Sequence, residues 1–290
     1  MLSQQQVDFY EEKGYLSVPD VISSEEITEL RRVTDSLVEQ ARSVSESIGV
    51  FGLEPGHTAE HPQVRRIKRP SLHHEIYKSM LHHDTILEMV AQLIGNDIRF
   101  TGEKLNMKEA GFGSVVECHQ DWAFMPHTND GLLAVGIAID DMTIDNGALL
   151  VIPGSHRGAI YDHHQDGFFI GAVTESAVDP AEVVAIEIPA GSVSIHHVRT
   201  LHGSAPNTSE RSRRMLFLEM AAVDAWSLMG LHDTDTWNNW HEFNACILRG
   251  EPTKEARVTD VPVRLPLPMR PSLGSIYALQ ADLAESTFSD

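Results

Sequence analysis

Apolar residues along this chain change their spacing near residue 97. Before that point the spacing is helical. Val7 and Tyr10 share one face of SQQQVDFYEEKG, which stops at Gly14, a glycine suited to a helix C-terminus. YLSVPDV follows as a short extended segment. SSEEITELRRVTDSLVEQARSV carries the clearest helix signal: Ser23 caps it and Glu26 completes a capping box. Ile27, Leu30, Val33, Leu37 and Val38 then form an apolar stripe. Residues 47–72 show no period and contain Gly, Pro and His, so they read as a long loop ending in the basic VRRIKRP. HHEIYKSMLHHDTILEMVAQLIG reads as a helix or a helix pair ended by Gly95.

From residue 98 the segments are short, apolar and β-branched, and Gly, Pro, Asn and Asp separate them. IRFTGEKLNMK, LLAVGIAID, ALLVIPG, VVAIEIPAG, SVSIHHV and MLFLEMAAV are the strand candidates. This pattern predicts an α+β fold with an antiparallel β core, a sandwich or a barrel. Nothing repeats and no low-complexity linker divides the chain. The expectation is one domain over residues 1–290: a mostly helical flank (1–97), a β core (98–223) and a Trp-rich C-terminal extension (224–290).

Composition narrows the function classes. The 290 residues hold 22 Lys and Arg against 42 Asp and Glu, a formal net charge of −20. Such a surface repels nucleic acids and anionic membranes, so neither is an expected partner. Cys118 and Cys246 are too few for a disulfide framework. The N-terminus lacks a basic and apolar leader, and no apolar run is long enough to span a bilayer. A cytoplasmic protein acting on a small molecule is the expectation; oligomeric state is not legible.

ECHQDWAF, residues 117–124, holds the first chemical signal. In a strand, His119 and Asp121 would project to one face with Gln120 turned away. An imidazole and a carboxylate suit an iron-type metal, and a second histidine would complete a facial triad with open positions. In a chain with 16 histidines the pair alone is weak evidence. His156, His163, His164, His196, His197 and His202 are candidates for the third ligand. His202 stands out because it ends a predicted strand, followed by the connection GSAPNTSERS and then Arg213. If those strands form a hairpin, Arg213 returns beside the metal, where a guanidinium can bind a carboxylate through two hydrogen bonds. Arg211 and Arg214 keep a plain surface role open for that arginine. His196 and His197 read as ordinary barrel residues.

HQD at 119–121, NGALLVIPGSHRG at 146–158 and HGSAPNTSERSRR at 202–214 together resemble the phytanoyl-CoA dioxygenase family, in the family's order. VDFYEEKGYLSVPDVISSEEITELR resembles its N-terminal helix, strand and helix. The resemblance implies a double-stranded β-helix, a cupin-like jelly-roll core with flanking helices. It implies that His119, Asp121 and His202 bind Fe(II) and carry catalysis. It also implies that Arg213 holds the distal carboxylate of 2-oxoglutarate, with Ser204, Asn106 and Lys108 in support. His156 in PGSHRG reads as structural. The implied reaction uses O2 and 2-oxoglutarate, releases succinate and CO2, and hydroxylates an unactivated C–H bond. Related halogenases replace the carboxylate with a small residue, so Asp121 points to hydroxylation.

The family name leaves the substrate open. Arg65, Arg66, Lys68 and Arg69 form a basic patch suited to an anion, or a solvated strand end in ion pairs. Trp122, Phe124 and Trp226, with Trp237 and Trp240, wall a pocket or pack a core. The two features lean toward a small anionic or zwitterionic metabolite, an aminophosphonate or a quaternary ammonium compound. A non-catalytic jelly-roll binding protein and a zinc-dependent isomerase or hydrolase are the alternatives. The full donor set and Arg213 argue against both.

Overall fold

Serines start both N-terminal helices of the computed structural model, which describes residues 1–47, 49–111, 113–175, 179–230, 239–267, 276–283 and 286–288. Helix α1 (Gln4–Lys13) begins at a capping box of Ser3 and Gln6 and ends at Gly14, whose φ of 77° suits glycine. Strand β1 (Tyr15–Val18) follows. Helix α2 (Ser24–Gln40) begins at the predicted Ser23–Glu26 box and buries Ile27, Leu30, Val33 and Leu37. Residues 73–95 form a pair, α3 (Glu75–Leu81) and α4 (Asp84–Ile94).

The expected loop over 47–72 is a correction. It contains β2 (Phe51–Leu53) and β3 (Val64–Lys68), which pair with each other. Gly52 faces Arg66 and Leu53 faces Val64, so Arg65 is an extra residue in a β-bulge. The bulge explains why no period was visible. Val64 and Ile67 lie three apart, yet both are fully buried.

The remaining strands are β4 (Ile98–Lys108), β5 (Val116–His119), β6 (Leu132–Ala138), β7 (Leu149–Val151), β8 (His164–Gln165), β9 (Phe168–Phe169), β10 (Val184–Ile186), β11 (Val193–His197), β12 (His202–Ser204), β13 (Arg213–Ala222) and β14 (Ile247–Arg249). Short helices α5 (Trp240–Ala245) and α6 (Ile276–Leu279) lie toward the C-terminus. A large antiparallel sheet runs β1-β11-β6-β13-β4-β3-β2, with β14 also on β4. A smaller one runs β10-β7-β12-β5. Three strands of the large sheet thus come from the region expected to be mostly helical.

Alternation gives the large sheet two different faces. Leu105, Leu133, Val135, Ile137, Ile195, Leu216 and Leu218 join one core with residues of α2, α3 and α4. The intervening residues face the small sheet. There Met215, Phe217 and Ala138 pack with Leu149, Val151 and Ile186. The space between the two sheets holds the site.

Buried neutral histidines tie stability to pH. Burial pushes His127 and His163 down from 6.5 to about 4. The unfolded chain therefore takes up protons that the native state resists. Their contribution should be fully present above about pH 6.5 and decline as pH falls toward about 4. Urea unfolding between about pH 7 and pH 5 should show falling stability, and His127→Gln should flatten the slope.

Candidate metal centre and pocket

His119 ends β5, and the chain turns at once into a short 3-10 segment, Asp121–Ala123. His202 opens β12, directly across from His119. The donor atoms of His119, Asp121 and His202 lie within 4.8 Å of one another, and all three residues are buried. His119 Nε2 is 3.7 Å from one oxygen of Asp121, and His202 Nε2 is 3.9 Å from the other. Each imidazole is oriented from behind. Nδ1–H of His119 donates to Glu117 O at 2.8 Å, and that of His202 to Thr200 O at 2.9 Å. Both Nε2 lone pairs then face inward, the arrangement a metal needs.

Gln120 faces away, as expected. Its amide donates to Ala159 O and Arg199 O and accepts from Tyr161 N, which fixes the turn between the ligands. Burial alone would raise the Asp121 pKa, but His202, His119, His196 and Lys104 hold it well below the usual range. Burial pushes His202 well down. The centre therefore presents one carboxylate and neutral imidazole, a donor set that fits a divalent iron-type ion.

The expected hairpin between His202 and Arg213 is a second correction. His202 begins its strand rather than ending one, and β12 pairs with β5 and β7. Arg213 opens β13 in the other sheet. They reach one pocket from opposite walls. That pocket is lined by His119, Asp121, His202, Ser204, Asn106 and Arg213, among others. Arg213 is buried, and its Nε donates to Gly147 O at 3.1 Å, with Nη2 donating to the same oxygen. Burial pushes its pKa down to about 10.

Lys108 faces Arg213 across the strand pair and donates to Ser114 O, so it stands beside the pocket and not in its lining. Gly147, with a φ of 83°, leaves room for it: a Cβ there would lie 2.6 Å from Lys108 Cδ. His156 is structural, as read, and pairs with Glu11 O.

The substrate expectations divide. Arg66 pairs with Asn106 and Lys68 with Lys104 in register, so both share the pocket-facing side of β4. Among the described residues neither makes an ion pair, and Arg66 Nε is buried without a partner. Arg65 lies 4.0 Å from Glu54 and sits over the Tyr277 ring at 4.9 Å. Among the described residues, Trp122 and Trp226 do not line that pocket. Trp122 is buried in a separate cluster, with its indole N–H on Pro262 O. Trp226 packs with Phe243 and Trp240 away from the pocket. Phe124 meets His119 edge-on at 5.9 Å. Trp237 lies outside the described residues.

Sequence reasoning missed Lys104, His196 and Tyr277 as lining residues. Lys104 was findable, because it lies two residues from Asn106 on the same strand face. Tyr277 was not. It arrives on a segment pinned by contacts to β5. Gln280 accepts from Glu117 N at 3.0 Å, Ser286 Oγ donates to the Glu117 carboxylate, and Thr287 N donates to it at 2.7 Å.

The comparisons agree with this geometry. The family model for phytanoyl-CoA dioxygenase matches residues 10–215. A probable alpha-ketoglutarate-dependent hypophosphite dioxygenase of Stutzerimonas stutzeri is 33% identical, over 99% of this chain and 100% of that protein. The solved non-heme alpha-ketoglutarate-dependent carbocyclase of nogalamycin biosynthesis is similar at 26% identity and a TM-score of 0.64, covering 80% of this chain and 88% of that one. EctD from S. alaskensis with bound Fe shares the fold at 22% identity and a TM-score of 0.66, covering 90% of this chain and 88% of that one.

The segment carrying Tyr277 lies beyond the matched span. Glu117→Ala removes its main anchor. Limited proteolysis should then cleave after residue 275 much faster than in the wild type, with the β core intact. Equal cleavage rates would mean that Glu117 does not hold the segment.

Proposed function

Because this chain belongs to the phytanoyl-CoA dioxygenase family of Fe(II)- and 2-oxoglutarate-dependent oxygenases, we propose that it hydroxylates a small oxyanion, with phosphorus oxyanions foremost. His119, Asp121 and His202 would hold the iron. Asn106 lines the same cavity, and Arg213 with Ser204 would hold the distal carboxylate of 2-oxoglutarate. Gly147 O occupies one edge of the guanidinium and leaves the Nη1 side for that carboxylate. We read the facing sheets as a double-stranded β-helix and the chain as one catalytic domain. Bound iron and 2-oxoglutarate supply the O2-dependent oxidising power, with succinate and CO2 as co-products. The residues position both carboxylates and keep the reacting centre away from bulk water.

One observation carries the substrate class. In a chain of net charge −20, the inner face of β3, β4 and β13 presents Arg66, Lys68, Lys104, Lys108 and Arg213. Glu219, held by Lys104 at 2.7 Å, is the acid on that face. Arg65, beside Tyr277, adds to the field. One arginine is accounted for by 2-oxoglutarate, and the others favour a second anion. Hypophosphite, the substrate in the name of the Stutzerimonas relative, is a small oxyanion of this kind. Nothing comparable supports a quaternary ammonium compound, since Trp122 and Trp226 lie away from the cavity.

Anaerobic addition of Fe(II) and 2-oxoglutarate should give the visible charge-transfer band of the chelate. Succinate release should then follow from hypophosphite or an aminophosphonate. Succinate release with neutral or cationic metabolites alone would refute the oxyanion reading.

His119→Ala, Asp121→Ala and His202→Ala should each abolish both the band and turnover, since no other residue replaces a lost ligand. Arg213→Ala should leave Fe(II) binding intact. It should weaken 2-oxoglutarate about 30-fold or more, from roughly 2–5 kcal/mol for an unpaired buried carboxylate. Arg213→Lys should recover part of the loss. Arg214 is spoken for by Asp140 and Asp35, and Arg211 is exposed, so their alanine variants should keep the wild-type KM for 2-oxoglutarate.

A further inference from the structure

We infer that a notch over Ala134, flanked by Lys104 and His196, is the subsite that receives the substrate's oxyanion. This rests on the dioxygenase reading above. Strand register defines the notch. Glu219 lies opposite Ala134 on β6, and Ala134 lies opposite His196 on β11. Neighbouring strands are about 4.8 Å apart, so the two outer residues of this row stand about 10 Å from each other. A single methyl group fills the floor between them. Lys104, in the next row, holds Glu219, so its ammonium is fixed at one rim. Ala134, Lys104, His196 and Phe217 line the same pocket as His119, Asp121 and His202.

His196 is the second, independent observation. It is only 2% exposed, and its Nδ1 has no hydrogen-bond partner. Its Nε2 lies 3.4 Å from Asp121 Oδ2, and its ring is 4.3 Å from that of His202. Asp121 answers the Nε2, and the Nδ1 that remains is a buried polar atom that a ligand can complete. An oxyanion over Ala134 lies between the Lys104 ammonium and the His196 ring. Its remaining bonds then point across the pocket, toward the triad on the facing sheet. The methyl floor sets an upper size for the group that enters.

The test uses full-length protein with Fe(II) and 2-oxoglutarate under anaerobic conditions. Hypophosphite, phosphite and phosphate are titrated as probes. At least one should perturb the charge-transfer band of the wild type. Ala134→Leu fills the notch and should raise the half-saturating probe concentration at least ten-fold, with the band itself retained. Lys104→Met and His196→Phe should also raise that concentration, each read against the variant's own charge-transfer band, which covers the case that Ala134→Leu folds poorly. Wild-type probe affinity in Lys104→Met and His196→Phe would overturn the proposal, as would a wild-type band that none of the three probes perturbs. A wild type with no band at all would instead defeat the dioxygenase reading.

Discussion

The pleat of the large sheet is the constraint on which the site depends. Successive residues of β4, β6, β11 and β13 must point to opposite faces. One face meets α2, α3 and α4 and is leucine, isoleucine and valine. The other carries Lys104, Asn106, His196, Arg213 and Phe217. A slip of one residue in any of these strands would bury the polar set against the helices and expose the apolar set to the pocket. The apolar packing thus fixes register, and register places the chemistry.

The inner face is also an electrostatic contradiction of the molecule around it. A strongly acidic chain concentrates cations where they are least hydrated. Burial lowers the pKa values of Lys108, Arg66 and Arg213. Under the proposed oxyanion function, anions entering between such groups would offset their desolvation. The acidic exterior and the cationic interior also make a gradient that a small anion meets at the pocket mouth and not elsewhere.

The helices and most core strands were legible because their apolar positions keep a period from end to end. The capping box at Ser23 and the eleven residues of β4 are examples. β2 and β3 were not, because the extra Arg65 places Val64 and Ile67 out of phase. The triad was readable only through the order of three motifs. Its pairing was misread, because a strand of three residues, β12, leaves almost no pattern of its own. His196 looked ordinary because a sequence does not say which neighbours will leave a ring nitrogen empty. Tyr277 had no signal at all: what brings it to the pocket is a carboxylate, Glu117, far away in the chain.

The edge position of β1 has a consequence for how the molecule is made. Tyr15 pairs with His196 and Val18 with Val193. During synthesis β1 leaves the ribosome first, but its partner follows only after most of the β core. Until then its backbone donors have no ladder, and α1 and α2 wait beside an unfinished surface. Closing that loop demands entropy early and returns contacts late, which slows folding. The strand that flanks His196 thus has no ladder of its own until β11 has been made.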